Sequence, residues 1–308
     1  MQMDGKNPAL GGIRLVLGGN VFGWTANRDT SFAILDAFHD AGGRMVDTAD
    51  MYSAWVPGHK GGESETVLGE WMAARKNRVQ MKIATKLNGA NTPGGLAPDK
   101  IVAALNASLK RLQTDYIDLY YAHRDDTQTP LDVIAGGFDS QVKAGKVRAV
   151  GASNFTAVRL KAARDAARAG GFTPYTVVQN EYNLLVREQH EGAMRDLCVS
   201  EGVAALPYYG LAAGFLTGKY RTAEDLAKSP RGMGAPRKHL ENNAGVLAKM
   251  DRIAAQTGAT LSQIAIAWIL TRPGISAPIA SATNVAQLKE LVGATTLKLS
   301  ADQLASLE

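Results

Sequence analysis

The chain has 308 residues, 45% of them hydrophobic and 20% charged, with a formal net charge of +5 and a single cysteine. That length supports a large core without disulfides or metals; one thiol excludes an intrachain disulfide, and no apolar run reaches the ~18 residues of a membrane span. The cations are interleaved with acids, as in KAARDAARA, which marks solvated helix faces and not a nucleic-acid stripe, and Met1 to Pro8 lacks the apolar stretch of a secretory signal, so a cytoplasmic protein with neither nucleic-acid nor membrane partners is expected.

Short apolar runs and helical patterns then alternate. RLVLGG around Leu15 precedes DTSFAILDAFHDAG, RMVDTA around Val46 precedes SETVLGEWMAARK, MKIATK around Ile83 precedes PDKIVAALNASLKRL, and IDLYYA around Leu119 precedes PLDVIAGGFDSQVKAG. KVRAVGASN around Val150 leads to TAVRLKAARDAARAG, and YTVVQNEYN around Val178 to EQHEGAMRDLCVSEG. VAALPYYG around Leu206 leads to NNAGVLAKMDRIAAQTG with LSQIAIAWILTRPG, and ISAPIA around Ile279 to NVAQLKELVGA. The runs are β-branched or aromatic and too short for buried helices. The longer segments carry apolar residues at i, i+3 and i+4. Asp29, Asn154 or Thr156, Ser262 and Asn284 stand near helix starts, and Gly145, Gly170, Gly258 and Gly293 near helix ends. Thr222 to Glu241, rich in Lys, Arg, Pro and Gly, reads as a long loop. Cys198 falls in an amphipathic helix as a small buried hydrophobe.

Eight strands, each followed by helix, predict parallel βαβ units. No G-x-G-x-x-G follows any strand, which disfavours an open doubly wound sheet. The expected architecture is α/β, one (β/α)8 TIM barrel spanning residues 1–308 as a single domain, with its active site at the C-terminal strand ends.

The polar residues ending each run are therefore the informative ones. They are Asp47 with Tyr52 in the following loop, Lys86, His123, Ser153 and Asn154, Gln179, and Tyr208 with Tyr209. The intervals from Asp47 to Lys86 and on to His123 each fit one βα unit. A tyrosine titrates near 10; a neighbouring ammonium favours its phenolate, and a buried lysine needs a counter-charge, which Asp47 supplies. Such a tyrosine can give a proton to a developing alkoxide, while His123 donates a hydrogen bond to the same oxygen. None of these groups supplies a hydride, so a nicotinamide cofactor is implied. No metal site is assigned. His39, His59, His190 and His239 are read as structural.

MVDTADMYS, ESETVLGEW, IATK, YIDLYYAHRDD, GKVRAVGASNF, VVQNEYNLLVR and GLAAGFLTGKY cover nearly every strand, and together they make the whole chain resemble the aldo-keto reductase family. The resemblance implies a catalytic tetrad of Asp47, Tyr52, Lys86 and His123. It also implies that Ser153, Asn154 and Gln179 hold the nicotinamide carboxamide, that Tyr208 stacks on the ring, and that Gly18, Gly19 and Asn20 line the floor. Tyr209 and Gly210 would also contact the cofactor, and Leu211, Ala213 and Lys219 would follow the pyrophosphate, with Ser281, Thr283, Gln287 and Glu290 at the adenosine end. Many members have glycine in place of Ser281, arginine in place of Thr283, asparagine in place of Leu291, and Ser-Pro in place of Tyr209-Gly210. NADP(H) is expected in preference to NADH, with Arg231, Arg237 and Lys238 of the long loop as 2′-phosphate ligands.

Substrate contacts are expected from Trp24, Trp55, Arg124, Tyr52 and His123, with Phe22 and Val56 from the same loops. The expected partner is a small carbonyl or alcohol compound, and the expected state a monomer or weak homo-oligomer. Two rival readings use the same residues. One is a cofactor-binding, redox-sensing regulatory subunit, which keeps the tetrad but turns over slowly. The other is a lyase forming a Schiff base on Lys86.

Overall fold

The computed structural model describes residues 10–228 and 234–308. In chain order the elements are β1 (Val16–Gly18), α1 (Arg28–Asp40), β2 (Met45–Asp47), α2 (Glu63–Arg75), β3 (Lys82–Leu87), α3 (Pro98–Leu112), β4 (Leu119–Ala122), α4 (Leu131–Lys143) and β5 (Val150–Ser153). They continue with α5 (Ala157–Ala169), β6 (Val177–Gln179), α6 (Ala193–Glu201), β7 (Ala204–Ala205), α7 (Ala235–Thr257), α8 (Leu261–Leu270), β8 (Ile279–Ala280), α9 (Val285–Ala294) and α10 (Ala301–Ser306).

All strand pairs are parallel, in the order β7-β6-β5-β4-β3-β2-β1-β8. The remaining seam closes through the backbone. Ser276 N donates to Ala205 O at 2.9 Å, and Ile279 N to Pro207 O at 2.8 Å. This is the (β/α)8 barrel expected from the alternation of elements.

The strands are buried on both faces, and successive residues serve two different cores, as the two-residue side-chain period requires. Val16, Met45, Ala84, Leu119, Tyr121, Val177, Ala204 and Ile279 fill the barrel interior. Leu17, Val46, Ile83, Tyr120, Val150 and Val178 face the helices. Burying a side chain of that size contributes roughly 1.5–3 kcal/mol. Two residues beyond the inward Met45, Ala84, Tyr121 and Val177 come Asp47, Lys86, His123 and Gln179. The apolar stack thus continues in register into a polar layer at the C-terminal rim, and this positions the site.

Helix starts follow their caps. Thr156 and Asn284 accept from the third backbone N–H of α5 and α9. For α1 and α8 the caps are Asn27 and Thr260, each two residues before Asp29 and Ser262, because a capping side chain must sit outside the helix whose N–H groups it satisfies. The long loop is shorter than Thr222 to Glu241 suggests. A 3-10 turn covers Glu224–Lys228, and α7 begins at Ala235 with Pro236 in its first turn, where the missing N–H costs no hydrogen bond. α10 starts from a capping box of Ser300 and Gln303. Cys198 lies in the core, and burial pushes its thiol up to about 12. No single helix among the described residues is long and apolar enough to cross a membrane.

Candidate active site

Lys86, at the end of β3, is fully buried. Its nitrogen donates to Asp47 Oδ1 at 2.5 Å, to the Thr48 carbonyl at 2.8 Å and to Tyr52 Oη at 2.8 Å. Three acceptors match the three N–H groups of an ammonium. Tyr52 Oη lies 3.4 Å from Asp47 Oδ1, and Gln179 Nε2 donates to Asp47 Oδ2 at 2.8 Å. Burial lowers the Lys86 pKa, opposed by Asp47. Burial, seconded by the Asp47 charge, raises the Tyr52 pKa well above its ordinary value. The Lys86 ammonium alone would draw that pKa down, as expected from the sequence; the dry surroundings and the carboxylate outweigh it, so the phenol keeps its proton.

His123 closes the other side. Its ring is 6.1 Å from that of Tyr52, edge to face, and its backbone N–H is held by Leu87 O at 2.9 Å. Burial first, then the charges of Lys86 and Arg124, depress its pKa well below the usual histidine range, so the imidazole is neutral. Its Nδ1 is buried without a protein partner.

Ser153, Asn154, Gln179 and Tyr208 converge beside it. Asn154 Nδ2 donates to His123 O at 2.9 Å and to Ser153 Oγ at 3.1 Å, while its Oδ1 accepts from Tyr208 Oη at 2.7 Å. Ser153 Oγ donates to Gln179 O at 2.7 Å. Asn154 adopts φ 60°, a left-handed conformation that asparagine tolerates better than most residues.

A cavity of about 620 Å3 leads away from this rim. It is lined by Asn20, Tyr209, Gly210, Leu211, Ala213, Lys219, Ser281, Thr283, Gln287 and Glu290, all expected from the sequence, and by Thr25, Thr217 and Ser262, which are not. Its size suits a small-molecule ligand. Backbone comes close here: a Cβ on Gly18 would lie 2.4 Å from Ser281 Oγ, and one on Gly19 2.9 Å from Ser64 Oγ. Ser281 Oγ donates to Asn20 Oδ1 at 2.6 Å. Gln287 Oε1 accepts from the Thr283 backbone and hydroxyl, and Glu290 accepts from the Thr260 hydroxyl. Tyr208 stands beside this cavity, half-buried, without lining it.

Among the described residues Lys219 is the one cation lining the cavity. Arg237 lies on α7, where it pairs with Glu241 at 3.1 Å, and it is absent from the cavity wall, as is Lys238. Arg231 lies outside the described residues. A second cavity, of about 400 Å3, opens at the opposite end of the barrel among Leu10, Arg44 and Asp118.

On the substrate side, Trp24 and Trp55 meet edge to face at 5.5 Å and Trp55 meets Tyr52 at 6.1 Å. Arg124 is exposed next to His123. Phe22, by contrast, is buried in the core. Sequence reasoning also passed over a buried set behind Lys86. Glu65 Oε1 accepts from the Thr85 hydroxyl at 2.6 Å and its Oε2 from Arg111 Nε at 2.5 Å. Asp50, beside them, has a buried Oδ1 without a partner, and burial followed by the Glu65 charge raises it to about 6. The only sequence signal was Glu65 within ESETVLGEW.

Comparison with known proteins agrees with this geometry. A model of the Aldo/keto reductase family matches residues 14–308. The chain is 32% identical to norsolorinic acid reductase of Aspergillus flavus, over 91% of this chain and 71% of that protein. It is 33% identical to the uncharacterized oxidoreductase YrpG of Bacillus subtilis, over 96% and 90%. It is 32% identical to the aldo-keto reductase yakc [NADP(+)] of Schizosaccharomyces pombe, over 89% and 80%.

Proposed function

We propose, because the chain belongs to the aldo/keto reductase family, that it is an NADP(H)-dependent oxidoreductase interconverting aldehydes or ketones and alcohols, with Tyr52 as the general acid and base. The observation that carries this reading is the convergence of Lys86, Asp47 and Tyr52 at one buried point, near a cavity of about 620 Å3 lined by the residues expected to hold the cofactor. The NADP(+) in the name of the fission-yeast relative supports the cofactor.

A reduced nicotinamide, when bound, supplies the hydride. The residues of this chain do the rest. His123, neutral through burial, offers one N–H to the carbonyl oxygen and orients it. Tyr52 gives its proton to that oxygen as negative charge develops there, and the Lys86 bond then stabilises the phenolate that remains. Asp47 fixes Lys86 and is itself fixed by Gln179. Ser153 and Asn154 would hold the carboxamide, and Asn20, Leu211, Ala213, Lys219 and Ser281 the body of the cofactor. The products are an alcohol and the oxidised cofactor, and the proton lost by Tyr52 is recovered from solvent.

The single-domain organisation over residues 1–308 and a monomeric or weakly associating state form part of the same proposal. No observation favours the regulatory reading. The Schiff-base reading is disfavoured because the Lys86 nitrogen has all three hydrogens committed to protein acceptors. The test is nicotinamide absorbance followed over a panel of aldehydes, ketones and alcohols. Cofactor-dependent turnover, abolished in Tyr52→Phe, is expected; no turnover with any carbonyl would overturn the reading.

A further inference from the structure

We infer that Arg124 selects carbonyl substrates that carry an anionic group, its guanidinium holding the anion while the apolar part of the substrate lies on Trp55 and Trp24. This deepens the reductase reading and rests on it.

Two observations place the chemistry. The first is an edge-to-face chain of rings running from the rim to the proton donor. Trp24 meets Trp55 at 5.5 Å, Trp55 meets Tyr52 at 6.1 Å, and Tyr52 meets His123 at 6.1 Å. Trp55 is 45% exposed, a large apolar face left uncovered beside the reacting residues. A planar ring laid there extends the series through offset or edge contacts.

The second is a guanidinium with no counter-ion. Arg124 follows His123 at the end of β4, and its Nε donates to Gly89 O at 3.3 Å. The two acids next in the chain are already used. Asp125 is held by Arg159 at 2.8 Å. Asp126 accepts from the N–H groups of Gly94, Leu96 and Gln128 and from the Thr129 hydroxyl. Asp47 belongs to Lys86. Among the described residues no carboxylate lies within ion-pair distance of Arg124. Its charge nonetheless reaches the site, for it lowers both His123 and Tyr208. An unpaired fork of N–H donors at the mouth of a reductase site is built for a carboxylate or a similar anion. A neutral aliphatic aldehyde uses neither feature.

The test measures kcat/KM for the three carboxybenzaldehydes and their methyl esters, in wild type, Arg124→Gln and Arg124→Lys. The expected acid-to-ester ratio in wild type is about tenfold for the isomer that reaches Arg124, the low end for a charge-assisted bond at an exposed rim. The difference should lie in KM, shrink as salt is added, vanish in Arg124→Gln and persist in part in Arg124→Lys. Trp55→Ala should lower the ratio of aryl to straight-chain oxo-acid turnover. A second measurement needs no chemistry: benzoate quenching of tryptophan fluorescence, expected to be salt-sensitive and weakened in Arg124→Gln. An acid-to-ester ratio near one for all isomers, or one unchanged by Arg124→Gln, overturns the inference while leaving the reductase reading intact. Arg124-dependent benzoate binding without reduction of any aldehyde would instead keep the anion site and defeat the reductase reading.

Discussion

Lys86 Nζ donates to Tyr52 Oη at 2.8 Å, and the phenol is acceptor in that bond. The direction matters. The Tyr52 hydroxyl donates in turn to Asp47 Oδ1, at a long 3.4 Å. That bond holds the proton weakly, while the Lys86 ammonium already touches the phenol oxygen, where the proposed proton transfer would leave negative charge. Burial keeps the phenol protonated in the resting state, as the proposed proton-donating role requires.

Tyr52→Phe removes this hydroxyl and little else. The ring still packs against Trp55 and His123. Loss of a positioned general acid costs typically ~10²–10⁴-fold in rate. The expected result is a fall in kcat of that size, with cofactor affinity, measured by fluorescence titration, close to wild type. Retention of more than roughly a tenth of kcat would show that Tyr52 is not the acid.

Lys86→Met deletes the cation that favours the phenolate. The Tyr52 pKa, already raised, must rise further. Alcohol oxidation, which needs the phenolate as base, should move its ascending limb to higher pH. Carbonyl reduction should fall through loss of phenolate stabilisation. Initial rates from pH 6 to 10.5 in both directions check this, and an unchanged oxidation profile would count against the pairing.

The rim was legible in the sequence because strand periodicity carries apolar register into polar register at fixed offsets: Met45 to Asp47, Ala84 to Lys86, Tyr121 to His123, Val177 to Gln179. Features made by contacts across the fold were not. Arg111 reaches Glu65 from another helix, and no local pattern announces that pair. Phe22 in a loop after β1 has the same signature facing the core or the pocket. Arg237 sits in a stretch whose Lys, Arg, Pro and Gly content has the signature of a loop, yet Ala235 and Pro236 start a helix that turns it toward Glu241.

Asp50 should make the protein less stable as pH rises. Burial and Glu65 raise its folded-state pKa to about 6, above the ordinary carboxylate value near 3.9. The folded chain thus binds a proton that the unfolded chain has released. This contribution is fully present below about pH 4 and is lost as pH climbs through about 6, leaving a charged carboxylate among Glu65, Arg111 and Lys86. Asp50→Asn removes the charge. Its unfolding free energy, from urea titrations, should exceed wild type by about 2–3 kcal/mol at pH 8, with the gap closing toward pH 4. A constant gap across that range would show that Asp50 does not titrate there.

Lys219 is expected to be the cation that selects the cofactor. The 2′-phosphate carries close to two negative charges near neutrality and needs a cation or several donors to be chosen over a ribose hydroxyl. Thr283 and Gln287 are neutral and already bonded to each other. Glu290 shares the same end of the cavity, and a carboxylate there repels phosphate. Arg237 spends its guanidinium on Glu241 away from the cavity wall, which leaves Lys219 as the described cation in place. Lys219→Ala should weaken NADPH binding about tenfold, a typical value for a charge-assisted contact. Arg237→Ala should change it little. Parallel titration with NADH says which phosphate is held. If both cofactors weaken equally, Lys219 lies on the pyrophosphate; if NADPH alone weakens, it reads the 2′-phosphate. Glu290→Gln should strengthen NADPH more than NADH, since only the former brings an extra anion to that end. A strong NADPH preference untouched by Lys219→Ala and lost in Arg237→Ala would return the selecting role to α7 and refute this assignment.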